Sequence, residues 1–345
     1  MIKNENTPTM EEWKRLYELM EQVKLLEPWE YMFEDEVFGY EMPETGELGF
    51  VSVMGNLGEH FAVAVYQGIK GLNGFFHIHE MGDKLDPESI LQVPQLQASF
   101  EDREYLSDGE RKIIKTLGLK FREKNAYPQF RGFRPNYIPW HLEGDEVRML
   151  TCGLEQLLDV APRFDENPDI FTPTGLEDDY LLRVQKDGIW QDVIWKNPGV
   201  EKDKPIEMQI SGDDLAKIKS RMPGKFIIEL DLYRMDEPVQ EKKNSRPYFP
   251  YMLMMADYDS GMILAVDVMK PVPDLAMMTR QSLMKIISAL ISFPPKEIRV
   301  KNQSLYSMLM PVGEYVGFKV NQAARLSSID RAQREMRELS RGLGF

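Results

Sequence analysis

The segment YMLMMADYDSGMILAVDV, residues Tyr251–Val268, decides how the fold is read. Two apolar runs, Tyr251–Asp257 and Met262–Val268, flank the short polar stretch Tyr258-Asp259-Ser260-Gly261, whose Asp, Ser and Gly are turn formers. A hairpin apolar on both faces belongs inside a sheet covered on both sides, so a central place is expected for it. Helix Leu275–Ile291 follows and is stopped by Pro294-Pro295. A short strand Ile298–Val300, a helix Gln303–Met310 and a strand Gly317–Val320 come next. A last helix carries Leu326, Ile329, Met336 and Leu339 on one side. Upstream, Phe226–Tyr233 reads as a further strand. The order predicts a mixed sheet flanked by helices.

The chain has 345 residues, 43% of them hydrophobic, enough for two domains with sizeable cores. Its formal net charge of −14 repels nucleic acid and anionic membrane surfaces on average. Cys152 is the single cysteine, which excludes an internal disulfide and a Cys-based metal site and fits a reduced, cytoplasmic protein. Residues 1–8 have neither a basic nor an apolar region of a signal peptide. No apolar run approaches the roughly 20 residues that a membrane span needs. The 22 methionines suit adaptable core packing.

In the N-terminal half, Thr9-Met10-Glu11-Glu12 is a capping box that opens a helix with Trp13, Leu16, Tyr17, Met20 and Val23 on one face. Val37–Tyr40, Leu48–Met54 and Phe61–Tyr66 form a three-stranded antiparallel meander, with Gly55-Asn56-Leu57-Gly58 as a hairpin turn. Lys70–Glu80 fits a short helix or a fourth strand. Gln95–Phe100 is a strand and Ser107–Leu117 a helix with its own capping box. Ala126–Trp140 reads as extended or looped, and Asp145–Ala161 as an amphipathic helix. From Pro162 to Asp179 the chain holds three prolines and six carboxylates against one arginine, which reads as a domain boundary. The expected architecture is α+β in two domains, 1–165 and 180–345, joined by an acidic Pro-containing linker over 166–179. Tyr180–Val184 and Trp190–Trp195 then open the second domain as a hairpin.

Three constellations carry chemistry. Pro128–Trp140 interleaves aromatic rings with Arg131 and Arg134, just after Lys115, Lys120, Arg122 and Lys124. In an acidic chain this basic island suits an anionic ligand, held by guanidinium pairing and by stacking on Tyr137 and Trp140. An acidic protein segment would serve equally, and the structural alternative is that the arginines pair with nearby carboxylates. His77-Ile78-His79-Glu80, with His60, places imidazoles on one face if the segment is extended and so supplies zinc ligands, but not if it is helical. Asp257 and Asp259 beside the hairpin turn are either metal-binding carboxylates or turn residues. There is no nucleotide-binding glycine motif and no nucleophile elbow.

The segment order over the last ninety or so residues resembles the ribonuclease H and integrase superfamily. That resemblance implies two metal ions held by acidic side chains, with Asp257 as the first-strand carboxylate and Asp330, Glu335 or Glu338 contributed by the last helix. Lys301 and Asn302 stand where the next carboxylate is due, and a cation there repels metal. Gly55–His60, Gln95–Phe100 and Pro128–Arg131 resemble an uncharacterised bacterial family of domains of unknown function over most of Met10–Ala161. Pro295–Ala332 resembles the domain that partners it, and neither implies an activity. The expected function is a non-enzymatic cytoplasmic binding or adaptor protein with no cofactor, using Arg131, Arg134, Tyr137 and Trp140. The alternative is a metal-dependent nucleic-acid hydrolase with a degenerate ribonuclease H-like core. A third reading is a structural module whose Met-rich hairpin packs a homodimer.

Overall fold

A computed structural model describes residues 6–82, 89, 91–171, 179–199, 210–272 and 275–342. The chain divides into two compact units, Met1–Glu201 and Lys202–Phe345. Together they are α+β.

The first unit is built on a seven-stranded sheet. Its strands are β1 (Phe38–Glu41), β2 (Leu48–Met54), β3 (Ala62–Gln67), β4 (Gln95–Glu101), β5 (Tyr127–Phe133), β6 (Asp179–Lys186) and β7 (Ile189–Lys196), in the order β5-β4-β3-β2-β1-β6-β7. All neighbours are antiparallel except β1 and β6, which are joined through Gly39 and Leu182. Helices α1 (Met10–Leu26) and α4 (Gly144–Glu166) cover one face. There Leu16, Met20, Leu150, Leu154 and Leu157 pack on Val51, Val53, Val63, Val65 and Leu96. Helix α2 (Gly68–Met81) covers the other face, packing Leu72 and Phe75 on Phe50, Ala64 and Tyr66. The ambiguous Lys70–Glu80 segment is therefore helical. Its glycines allow that placement, since a Cβ on Gly71 would lie 2.8 Å from the carbonyl carbon of Tyr66. Helix α3 (Asp108–Thr116) opens on the expected Ser107 capping box, as α1 does on Thr9.

The expected boundary over 166–179 is displaced. Helix α4 runs through Pro162 to Glu166, and β6 and β7, expected in the second domain, extend the first sheet. Leu181 joins the core of that sheet, which holds the hairpin in the first unit. Residues 172–178 of the expected linker lie outside those described. The composition shift marks a connection within a sheet.

The second unit carries β8 (Phe226–Arg234), β9 (Tyr251–Asp257), β10 (Ile263–Met269), β11 (Pro295–Val300) and β12 (Lys319–Gln322) in the order β10-β9-β8-β11-β12. β8, β9 and β10 are antiparallel, whereas β11 runs parallel to β8 and β12. Period-2 alternation divides β8 between two layers. Ile228, Leu230 and Leu232 face helices α6 (Leu275–Ser292) and α7 (Gln303–Val316), against which α5 (Gly212–Lys219) packs. Tyr233 faces helix α8 (Ser327–Gly342), where Met252, Met254 and Ala256 meet Leu326 and Ile329. The decisive hairpin is central in one strand only. β9 is buried throughout Met252–Asp257, while β10 is an edge strand with Ile263, Val266 and Val268 exposed. Of the methionines in this hairpin, Met252, Met254 and Met255 are buried in this unit's own two layers, and Met262 is exposed.

Candidate functional site

The arginine segment is ordered by β5, whose chain turns back after Phe133. Gly132 and Trp140 exchange backbone hydrogen bonds of 2.9 and 3.1 Å across that turn. Both guanidinium groups point at helix N-termini. Arg131 donates to Glu110, the capping-box glutamate of α3, at 2.5 and 3.2 Å. Arg134 donates to Glu146 at 2.9 Å and Glu143 at 3.0 Å, the two residues of the α4 capping box. Burial raises the Glu110 carboxyl pKa, but the Arg131 pair and the Ser107 bonds outweigh it and hold the group below its usual range. Burial lowers the Arg134 pKa, and its two carboxylates more than restore it. Tyr137 and Trp140 are half-buried, and the Trp140 ring lies against His141. Both arginine charges are paired inside the unit, as in the structural alternative, and clamp the β5 turn onto α3 and α4.

The other sequence candidates also take structural roles. Asp257 ends β9, and its Oδ2 accepts from the Ser260 amide at 3.0 Å and the Ser260 hydroxyl at 2.5 Å, the bonding of a turn residue. Asp259 is exposed in the same turn. The strand at the centre of the sheet is β8, so Asp257 does not hold the first-strand position assigned to it. His77 and His79 lie on α2, where residues two apart point about 200° from each other. His79 stands 3.8 Å from Glu34, and His60 is bonded to Gln97 at 3.2 Å. Glu34 raises the His79 pKa above its usual value against the effect of burial. Among the described residues, no three His, Cys, Asp or Glu side chains are placed to hold a metal ion.

Reading by motif passes over a cleft of about 680 Å³ in the first unit. Asp35 and Glu36 before β1, Asn73, Phe76, His77 and Glu80 on α2, and Asp179 and Tyr180 on β6 supply most of its wall. Phe164 and Phe171, whose ring centroids are 4.6 Å apart, close one end. Asn197 donates to Asn73 at 3.0 Å and Asn73 to the Gly199 carbonyl at 3.3 Å, which fixes the chain leaving β7 against α2. Burial raises the Glu36 pKa, the Phe33 amide lowers it and the Asp35 charge raises it, with a net rise. Asp179 is 1% exposed and lies 3.5 Å from Lys196. Four carboxylates and four aromatic rings line the cleft, and none of its lining residues is Lys or Arg. The site draws on segments as far apart in sequence as Asp35 and Asn197, so no local spacing announces it.

The second unit holds two buried carboxylates that the sequence reading placed on a strand without singling out. Glu229 and Asp231 alternate with Ile228, Leu230 and Leu232 along β8. Glu229 accepts from the amides of Ser328 at 2.8 Å and Ile329 at 3.1 Å and from the Ser327 hydroxyl at 3.2 Å, at the start of α8. The carboxylate satisfies amides that have no partner within the helix and opposes the positive end of its dipole.

No curated protein and no solved structure matches the chain. Residues 13–183 match the family model of a domain of unknown function (DUF7309), and residues 214–337 match that of a second (DUF6930). The first match lies within the first unit and the second within the second. The chain is therefore a two-domain protein that joins a DUF7309 domain to a DUF6930 domain.

Proposed function

We propose that this chain is a non-enzymatic binding protein whose ligand site is the cleft of the first unit, and that its ligand carries a positive charge on an apolar stem. The supporting observation is the cleft's lining, with Asp35, Glu36, Glu80 and Asp179 set among Phe76, Phe164, Phe171 and Tyr180. Carboxylates attract an organic cation, and ring faces add about 0.5–2 kcal/mol each where the cation is desolvated. The anionic ligand expected from Arg131 and Arg134 loses its support, because Glu110, Glu143 and Glu146 already pair with both. A buried Cys152 suits a reducing compartment, and we place the protein in the cytoplasm. No helix among the described residues is long and apolar enough to cross a membrane.

The test is calorimetric titration with benzyltrimethylammonium and with agmatine against the parent chain, Glu80→Gln and Asp35→Asn. Binding on the order of millimolar or tighter, weakened in both variants, is expected from contacts of this strength. No saturable binding of either probe, or binding that both variants leave unchanged, refutes the site.

The metal-dependent nucleic-acid hydrolase is favoured by one observation, the strand order β10-β9-β8-β11-β12 with an acidic residue in the central strand. Lys301 opposes it, since its ammonium pairs with Asp330 of α8 and its charge acts on the Asp231 carboxyl of that strand. In our reading the second unit lacks metal-dependent cleavage. Mg²⁺- or Mn²⁺-dependent cleavage of single- or double-stranded nucleic acid by the parent chain would restore the enzyme.

A further inference from the structure

The outer strand β10 of the second sheet lacks the usual protections of a sheet edge. Edge strands are commonly kept from pairing with other chains by shortness, by proline or charge, or by a covering segment. β12, at the opposite edge, has four residues and opens on Lys319. In the first sheet, β5 is bridged from Gly132 to Trp140, and β7 carries Asp192 and Lys196, both ion-paired. β10 has seven residues, Ile263–Met269, with no proline and one charge. That charge, Asp267, lies opposite Leu253 and so faces α6, where Lys285 Nζ stands 4.0 Å away. The register shift between Ile263 and Ala265 is confined to one end of the strand. Along the rest, the amide and carbonyl of every second residue point away from β9, and among the described residues no strand meets them.

The side chains on one face of β10 are uncovered as well. Ile263, Val266 and Val268 lie opposite Ala256, Met254 and Met252 of β9. Those three are buried beneath α8, whereas Ile263, Val266 and Val268 are 39%, 39% and 55% exposed. The apolar layer under α8 therefore runs past the helix onto the open edge. We propose that β10 pairs antiparallel with β10 of a second copy of the chain, joining two five-stranded sheets across a twofold axis. An axis through Val266 sets that side chain against its own copy and Asp267 opposite Ala265, so no like charges are opposed. Lys285 balances each Asp267 on the other face. Residues 202–345 hold slightly more basic than acidic residues, so the chain's acidic surplus does not stand against this contact. An edge that is apolar on one face and charge-balanced on the other matches itself, which is the condition for a twofold interface. The proposal moves the homodimer contact from the hairpin's methionines to its outer strand, and it is independent of what the cleft of the first unit binds.

The test is sedimentation equilibrium of the whole chain as the parent, Val266→Lys, Val268→Lys and, on the charged edge β7, Ile194→Lys. An interface of one strand pair is small, so a Kd on the order of 10 µM is expected. Between about 1 and 200 µM the parent's average mass should then rise from 40.1 kDa toward twice that value. Val266→Lys sets two ammonium groups against each other at the axis and should weaken the dimer at least about a hundredfold, with Val268→Lys acting in the same direction. Ile194→Lys should leave it unchanged. Hydrogen exchange of the parent gives a readout that needs no variant: outward-facing amides of Ile263–Met269 should slow as concentration rises, and those of β7 should not. A parent that stays at 40.1 kDa over that range, a dimer that survives Val266→Lys or is lost equally in Ile194→Lys, or a dimer whose β10 amides gain no protection would each overturn the proposal.

Discussion

Replacing Glu229 tests whether α8 is held by a charge reaching across from the central strand. Its side chain is 1% exposed and accepts from the Ser328 and Ile329 amides and the Ser327 hydroxyl. Glu229→Ala leaves two amides of the first turn without an acceptor, at about 1–3 kcal/mol each when buried. It also removes the charge opposed to the helix dipole, worth up to about 2 kcal/mol in a partly buried site. Removing a buried anion returns part of that sum by ending its desolvation. The net expectation is a loss of about 3 kcal/mol, and of roughly half that for Glu229→Gln, which retains one acceptor oxygen. A two-unit chain does not melt in one transition, so the readout is local. Hydrogen exchange at Ser328 and Ile329 is expected to accelerate about a hundredfold in Glu229→Ala, the equivalent of that loss. The urea transition of the second unit is expected to move with it. Exchange and midpoint both within about 0.5 kcal/mol of the parent would refute the assigned cap, because that is the size of an ordinary surface substitution.

Further outcomes follow from the first unit. Arg131→Ala is expected to lower urea stability by about 3 kcal/mol, because it leaves the buried Glu110 without its partner. Glu110 has a depressed folded pKa, so its stabilisation is present above the unfolded value of about 4.3 and is lost as pH falls through the folded value. Glu110→Gln should therefore flatten the urea midpoint's acid limb, and an unchanged slope would count against the pair. His79 has a raised folded pKa, so its contribution is full below about 6.5 and is lost as pH rises through the folded value. Its imidazole titration, followed by nuclear magnetic resonance, should shift downward in Glu34→Gln. Burial pushes the Cys152 thiol up to about 12, so an aromatic disulfide reagent at pH 8 should label it only after unfolding.

Elements whose cause is local were legible from the residues. Thr9 with Glu12 and Ser107 with Glu110 form the reciprocal bonds that their spacing foretold. The strand expected over Phe226–Tyr233 forms over Phe226–Arg234, and the helical periods around Leu150 and Leu326 fall on helices. His77 and His79 could not be settled that way, because glycine-rich Gly68–Gly74 gains its helix from close packing on β3. The hairpin Asp179–Lys196 was assigned to the wrong domain, since strand pairing joins residues far apart in sequence and leaves no spacing to read.

Sequence by itself determined the two-domain α+β character, the acidic surface, the lone thiol and the unusual density of arginine and aromatic residues over Pro128–Trp140. Only the tertiary structure decided what those charges do. It turned Arg131 and Arg134 onto helix-capping glutamates, paired Lys301 with Asp330, and gathered Asp35, Glu80 and Asp179 around aromatic rings. The physical reason is range: capping and periodicity act within a few residues, whereas the worth of a charge depends on burial and on partners brought from anywhere in the chain.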